Sequence, residues 1–124
     1  MKYEDDPRFC GYYFEDSYVL SVHVGVSQVV FELLVVWTEK HPDYHPPSPG
    51  EQYCYGRSHL WFKNASEIEY APSGRAPSWD ANDHWDYGNI DSFVIDPPHG
   101  YTLDGEWGRL KLNALNAFVK DIGL

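Results

Sequence analysis

Basic residues are scarce in this sequence. Nine Lys and Arg stand against nineteen Asp and Glu, which gives a net charge of −10 over 124 residues. A protein that binds nucleic acid needs a basic patch to meet the phosphates, and an anionic membrane surface makes the same demand. We therefore expect neither nucleic acid nor a membrane among the partners. Acidity of this size suits a basic protein partner, although solubility alone also favours it.

The sequence also lacks an apolar run that could cross a bilayer and a start that resembles an export signal. Residues 18–38 are the longest apolar stretch, but a bilayer would penalise the polar side chains within it, which include Ser21, His23, Ser27, Gln28 and Glu32. The opening MKYEDD is acidic where a signal peptide requires positive charge and an apolar core. We expect a cytoplasmic protein, and we expect its two cysteines, Cys10 and Cys54, to be buried free thiols.

The apolar stretch 18–38 is rich in Val, Leu, Phe and Trp, so we place it at the centre of the fold. Residues 18–26 alternate between apolar and polar side chains, which predicts a half-buried strand. Residues 29–37 are apolar on both faces, which predicts a strand covered on both sides. A turn at residues 25–28 would join the two strands as a hairpin.

Turn signals divide most of the remaining chain into short strands. Residues 113–124 fit either a last strand or a short helix, and we prefer the strand. The sequence therefore predicts one mainly β domain over residues 1–124, with residues 1–8 loose. We expect an antiparallel β-sandwich or a partly open barrel of about seven to nine short strands, with a short C-terminal helix as the alternative end.

Seven acids and no Lys or Arg lie between residues 76 and 108, interleaved with Trp and Tyr. Carboxylates steer a basic partner toward a surface, and Trp and Tyr anchor it there. The alternative is a solvated loop whose tryptophans cap the end of the sheet. If this is a binding surface, its partner-binding residues are Trp79, Asp80, Asp83, Trp85, Asp86 and Tyr87.

A second interpretation is a small-molecule or metal-binding β-barrel. Residues 39–52 hold four prolines and form a long surface loop, which is often a functional feature. The loop would be a lid, and one face of the strand at residues 53–63 would be a wall. The residues of this predicted ligand site are His41, Tyr44, His45, Tyr53, Tyr55, His59 and Trp61.

The metal signals in the sequence are weak. His41 and His45 are four residues apart, but the prolines around them forbid the helix that would place both on one face. The Asp-rich residues 80–91 do not fit the register of an EF-hand loop. We therefore expect no metal and no cofactor.

A hydrolase that uses Asp and His is the third interpretation. Asp83 beside His84 could orient a general base, and Ser17 or Ser58 could be a nucleophile. No motif connects these residues, since the sequence has no G-x-S-x-G, no phosphate-binding loop and no H-E-x-x-H. We assign no catalytic residue.

Residues 86–93 (DYGNIDSF), with Tyr101 and residues 105–108 (GEWG), resemble the C-terminal half of small acidic β-proteins from bacterial toxin-immunity families. In those families a cytosolic protein binds and blocks a cognate toxin. The resemblance implies a non-enzymatic inhibitor of a basic toxin or enzyme. Our first hypothesis is accordingly an acidic, non-enzymatic protein-binding module of the immunity type.

Overall fold

A computed structural model describes residues 1–79 and 85–123. Within these ranges the chain is built from eight β-strands and two short 3₁₀ turns, at Tyr3–Asp5 and Pro7–Phe9. The described part contains no helix long and apolar enough to cross a membrane. The strands are β1 (Tyr12–Val24), β2 (Gln28–Trp37), β3 (Cys54–Pro72), β4 (Ser78–Trp79), β5 (Trp85–Asp86), β6 (Ile90–Asp96), β7 (Gly100–Gly105) and β8 (Gly108–Gly123).

Six of these strands form a closed barrel in the order β1-β2-β3-β8-β7-β6. All neighbours are antiparallel except β1 and β6, which close the barrel through the parallel pair Glu15 and Ile90. Strands β4 and β5 form a separate two-stranded sheet. The prediction of a mainly β fold is confirmed, whereas the sandwich and the partly open barrel are wrong, because the sheet closes on itself.

The barrel has fewer strands than predicted because its strands are longer. The strand predicted at residues 53–63 does not end there: Asn64 and Glu67 adopt positive φ values of 51° and 52°, and β3 continues past them to Pro72. Such irregularities bend a strand without ending it. Strand β8 likewise includes the C-terminal residues up to Gly123, so the preference for a strand over a helix there is confirmed.

The central hairpin is present, but the prediction that residues 29–37 are covered on both sides is wrong, since the outward residues Val30 and Leu34 are only half-buried. Strands β1 and β2 are antiparallel, and the N–H of Gly25 donates to the carbonyl oxygen of Gln28 at 2.7 Å across the turn. Alternate residues of β2 are completely buried inside the barrel. The inward side chains of β2 are Val29, Phe31, Leu33, Val35 and Trp37.

Side chains fill the interior of the barrel. A six-stranded barrel is narrower than the eight-stranded barrels that can hold a small ligand, so its inward side chains meet across the axis. The large buried aromatic side chains are Tyr3, Phe9, Phe14, Phe31, Trp37, Phe62, Phe93, Tyr101 and Trp107.

Two local expectations need correction. Residues 1–8 are not loose, since Tyr3 is completely buried and Lys2 forms a bridge with Val94 of β6. Burial of an aromatic ring outweighs the polar composition of this start. Both cysteines are free, but only Cys54 is buried, because Cys10 lies on the surface after the second 3₁₀ turn.

Candidate functional site

One end of the barrel is closed by three stacked layers. Gly56 lies beneath the indole of Trp37, so close that a methyl group on Gly56 would overlap the ring. The imidazole of His41 stacks on Trp37 with a ring-centroid distance of 4.1 Å and an interplanar angle of 4°. A glycine in β3 is therefore what allows the aromatic layers to fit there.

The carboxylate of Asp121, near the end of β8, collects three hydrogen bonds beside these layers. Its Oδ1 accepts the hydroxyl of Tyr12 at 2.7 Å and that of Ser58 at 2.9 Å. Its Oδ2 lies 2.9 Å from Nε2 of His41. Because Nδ1 of His41 accepts the N–H of Asp43 at 3.0 Å, the ring proton is on Nε2 and is donated to Asp121. These bonds fix the proline-rich loop to the end of the barrel.

This network brings serine, histidine and aspartate together, but not in the order that nucleophilic catalysis requires. A catalytic triad needs the serine hydroxyl on the histidine and the histidine on the carboxylate. Here Ser58 and His41 both donate to Asp121 instead. The other candidate serine, Ser17, donates to the carbonyl of Tyr13 and accepts the N–H of Val36, so it satisfies an irregular part of β1.

The candidate acid–base pair Asp83 and His84 lies outside the described residues.

Asp121→Ala is expected to destabilise the fold by about 1–3 kcal/mol, because it leaves the buried hydroxyl of Ser58 and the imidazole of His41 without an acceptor. Urea denaturation measures this loss. Lys120→Ala is the matched control, since Lys120 is an exposed neighbour on β8 and its truncation should change stability by no more than about 0.5 kcal/mol. Equal effects of the two variants would show that the network contributes nothing to stability.

The structure does not bring the predicted ligand-binding residues into one site. His41 stacks on Trp37 at the closed end of the barrel, and Tyr44 packs against the core. His45 forms a hydrogen bond with the carbonyl oxygen of the adjacent Pro46.

The residues of the predicted wall lie on the outer face of the barrel. The side chains that point into the barrel are those of the alternate positions of β3, such as Leu60 and Phe62. The predicted wall residues Tyr53, Tyr55, His59 and Trp61 lie in an outward row, which also includes Arg57.

The histidines on the outer face, His23 and His59, do not belong to a metal-binding cluster of described residues. Within residues 1–79 and 85–123, no three His, Cys, Asp or Glu side chains are grouped to hold a metal ion. Glu32 of β2 is bonded to Nε2 of His23 at 3.1 Å and is paired in register with His59. The hydroxyl of Ser21 and the ring of His23 lower the pKa of this carboxyl.

The predicted partner-binding residues differ in solvent exposure, and the structure describes only some of them. Trp85 is 58% exposed, and the backbone of Trp85 in β5 is in register with that of Trp79 in β4. Asp86 is buried, and its carboxylate accepts the N–H of Gly88 at 2.8 Å, which makes it a turn-stabilising residue. Two further members of the predicted set, Asp80 and Asp83, lie outside the described residues.

The sixth predicted partner residue, Tyr87, is half-buried. With Tyr70 and Trp107 it lines a pocket of about 370 Å³. Arg75, at the same pocket, is paired with Glu106 and donates to Ser78 at 3.2 Å. The pocket is thus walled by aromatic rings, and its one lining arginine is already bonded to a carboxylate.

Four tyrosines form a group on the outer face of β1 and β3, of which the sequence predicted Tyr53 and Tyr55 as candidate site residues but not Tyr13 and Tyr18. Ring-centroid distances are 6.1 Å from Tyr13 to Tyr53, 6.0 Å from Tyr53 to Tyr55 and 5.8 Å from Tyr55 to Tyr18. We call Tyr13, Tyr18, Tyr53 and Tyr55 the tyrosine cluster. The signal that could have found it is the density of Tyr in the two strands, but the irregularity of β1 conceals which of them share a face.

Comparison with known proteins gives no further guide, since no family model, no curated protein and no solved structure matches this chain. Its function therefore has to be argued from its own residues, because a barrel fold by itself implies no activity. The described residues offer a filled interior and aromatic surfaces.

Proposed function

We propose that the protein is a non-enzymatic binding module for a basic protein partner, acting in the cytoplasm. The observation that carries the proposal is the placement of aromatic side chains on the outside of a barrel whose interior is full. Exposed Trp and Tyr are the side chains that most often anchor protein partners. The net charge of −10 supplies the attraction for a basic surface.

Two features favour this function over the alternatives. Buried side chains of the described residues pack against one another inside the barrel, which weakens the case for a ligand-binding barrel. The serine and histidine nearest to a catalytic arrangement are both bonded to Asp121, which weakens the case for a hydrolase. The resemblance of residues 86–93 and 105–108 to immunity proteins supports an inhibitory role, in which the partner is a toxin or an enzyme.

The proposal predicts that the immobilised protein retains a basic protein from a lysate of its source at 50 mM NaCl. An unrelated protein of similar isoelectric point is the control bait. With the partner purified, association should slow at least tenfold between 50 and 500 mM NaCl, because salt screens the steering charges. Stopped-flow fluorescence measures this rate, and the tryptophan at position 85 supplies a signal.

Two results would contradict the proposal. One is a bait that retains nothing beyond the control. The other is a purified partner that is acidic or that associates at the same rate at both salt concentrations. Inhibition of the partner's own activity by stoichiometric amounts of the protein would further support the immunity-type role.

A further inference from the structure

The tyrosine cluster forms a continuous and well-supported surface. Its four side chains are half-buried, and their rings form a row in the order Tyr13, Tyr53, Tyr55 and Tyr18. The row lies on the sheet formed by β1, β2 and β3. Val36 of β2 pairs in register with Tyr13 and with Tyr55, and it is only 3% exposed although it faces outward. Since the strands and the neighbouring rings restrain these side chains, little conformational entropy remains to be lost on binding.

Carboxylates surround this surface. Asp16 is exposed, and its Oδ2 accepts the hydroxyl of Tyr53 at 3.2 Å. Burial raises the pKa of the Tyr13 phenol, and the negative charges of Asp16, Glu15 and Glu4 raise it further. On the outward face of β3 the cluster is followed by an exposed base, Arg57, which pairs in register with Leu34.

Flat aromatic rings beside carboxylates are suited to one kind of cation in particular. A guanidinium group is planar, stacks on the faces of tyrosine rings and forms bidentate bonds with a carboxylate. Asp16 accepts a single hydrogen bond from Tyr53, so its carboxylate keeps the capacity to accept more. A lysine ammonium could pair with Asp16 but lacks the planar face that stacks.

We infer that the tyrosine cluster and Asp16 are the docking site for an arginine-bearing segment of the basic partner. This inference rests on the proposed function, and it places the contact on the outer face of β1 and β3 rather than at Trp85. A second copy of this chain is disfavoured as the occupant, because it would bring another net charge of −10 to an acidic surface.

The test is a titration of the ¹⁵N-labelled protein with a synthetic nonapeptide of alternating arginine and glycine, followed by two-dimensional NMR. The largest amide shift changes should fall on Tyr13, Asp16, Tyr18, Tyr53 and Tyr55. A peptide with lysine at the arginine positions should bind at least threefold more weakly, because it loses the stacking.

A pair of charge-matched variants sharpens the test. Asp16→Asn removes the carboxylate but suits the backbone, since Asp16 has a φ of 66° and asparagine tolerates that conformation. Glu69→Gln removes one charge from an exposed position elsewhere on β3. We expect Asp16→Asn to weaken the arginine peptide at least fivefold and Glu69→Gln less than twofold.

Other outcomes would overturn the inference. Shift changes centred on Trp85 would move the docking site while leaving the proposed function intact. Shifts spread over all acidic surfaces, or equal weakening by both variants, would show that only net charge attracts the peptide. The absence of any peptide binding would overturn the docking site, whereas the basic partner itself is tested separately by retention from the lysate. Dimerisation of the free protein through these tyrosines, seen by sedimentation, would identify a second copy as the occupant.

Discussion

Gly56→Ala is expected to lower the free energy of unfolding by about 3 kcal/mol or more. The added methyl group would overlap the indole of Trp37, which cannot move aside because His41 is stacked on its other face. Overfilling a packed core typically costs about 1–3 kcal/mol, and this position is held from both sides. Urea denaturation followed by far-ultraviolet circular dichroism measures the loss.

The control for Gly56→Ala is the same substitution in a Trp37→Leu background. Leucine vacates the space that the methyl group needs, so Gly56→Ala should then cost less than about 1 kcal/mol. The difference between the two backgrounds isolates the contact between the glycine and the ring. If Gly56→Ala costs the same in both, the three-layered closure of the barrel end does not depend on this close approach.

The layered barrel end illustrates what the sequence could and could not predict. The alternation of residues 53–63 correctly separates the two faces of β3, and a glycine in a strand signals a close approach by another group. The identity of that group is a non-local fact, since Trp37 belongs to β2. Asp121 is still more remote from His41 in sequence, so the spacing of the histidines suggested a weak metal motif where the structure has a hydrogen bond between His41 and Asp121.

Closure of the barrel is non-local in the same way. The hairpin of β1 and β2 can be predicted because its partners are adjacent in sequence and the turn between them is short. The pairing of β3 with β8 joins residues 57–72 to residues 108–123, and no local pattern specifies it. The sequence could therefore predict that the chain is mainly β, but the order of the strands is known only from the structure.

The sequence did not predict that Tyr13 and Tyr18 belong to the tyrosine cluster, and the reason is local. Tyr13 and Tyr18 are five residues apart, so simple alternation places them on opposite faces of a strand. In the structure Tyr13 pairs with Val36 and Tyr18 with Leu34, because β1 holds three extra residues between these pairs. Asp16 takes the left-handed conformation within these extra residues. Aspartate tolerates that conformation and is therefore common in turns, so residues 15–17 resemble a turn in the sequence although they lie within β1.

Phe93→Ala is expected to destabilise the protein by about 3–5 kcal/mol, the range for removing a buried aromatic ring. Phe93 is 4% exposed and lies among the rings of Phe9, Phe14 and Tyr3, with centroid distances of 5.2, 5.1 and 5.4 Å. These contacts join β6 to β1 and to the start of the chain.

The effect of Phe93→Ala should also be localised, because few backbone contacts join β1 to β6. They are the register pair of Glu15 with Ile90 and the hydrogen bonds of Val19 with residues 87 and 88, directly before β6, and packing of the aromatic side chains adds to them. Hydrogen exchange should accelerate first in β6 and in the first half of β1. Val94→Ala is the matched control, since Val94 is 49% exposed and should cost no more than about 1 kcal/mol. If Phe93→Ala unfolds the chain outright, Phe93→Leu provides a milder step with the same expected pattern. Uniform acceleration across all six strands would show that the aromatic contacts stabilise the barrel as a whole and not its seam.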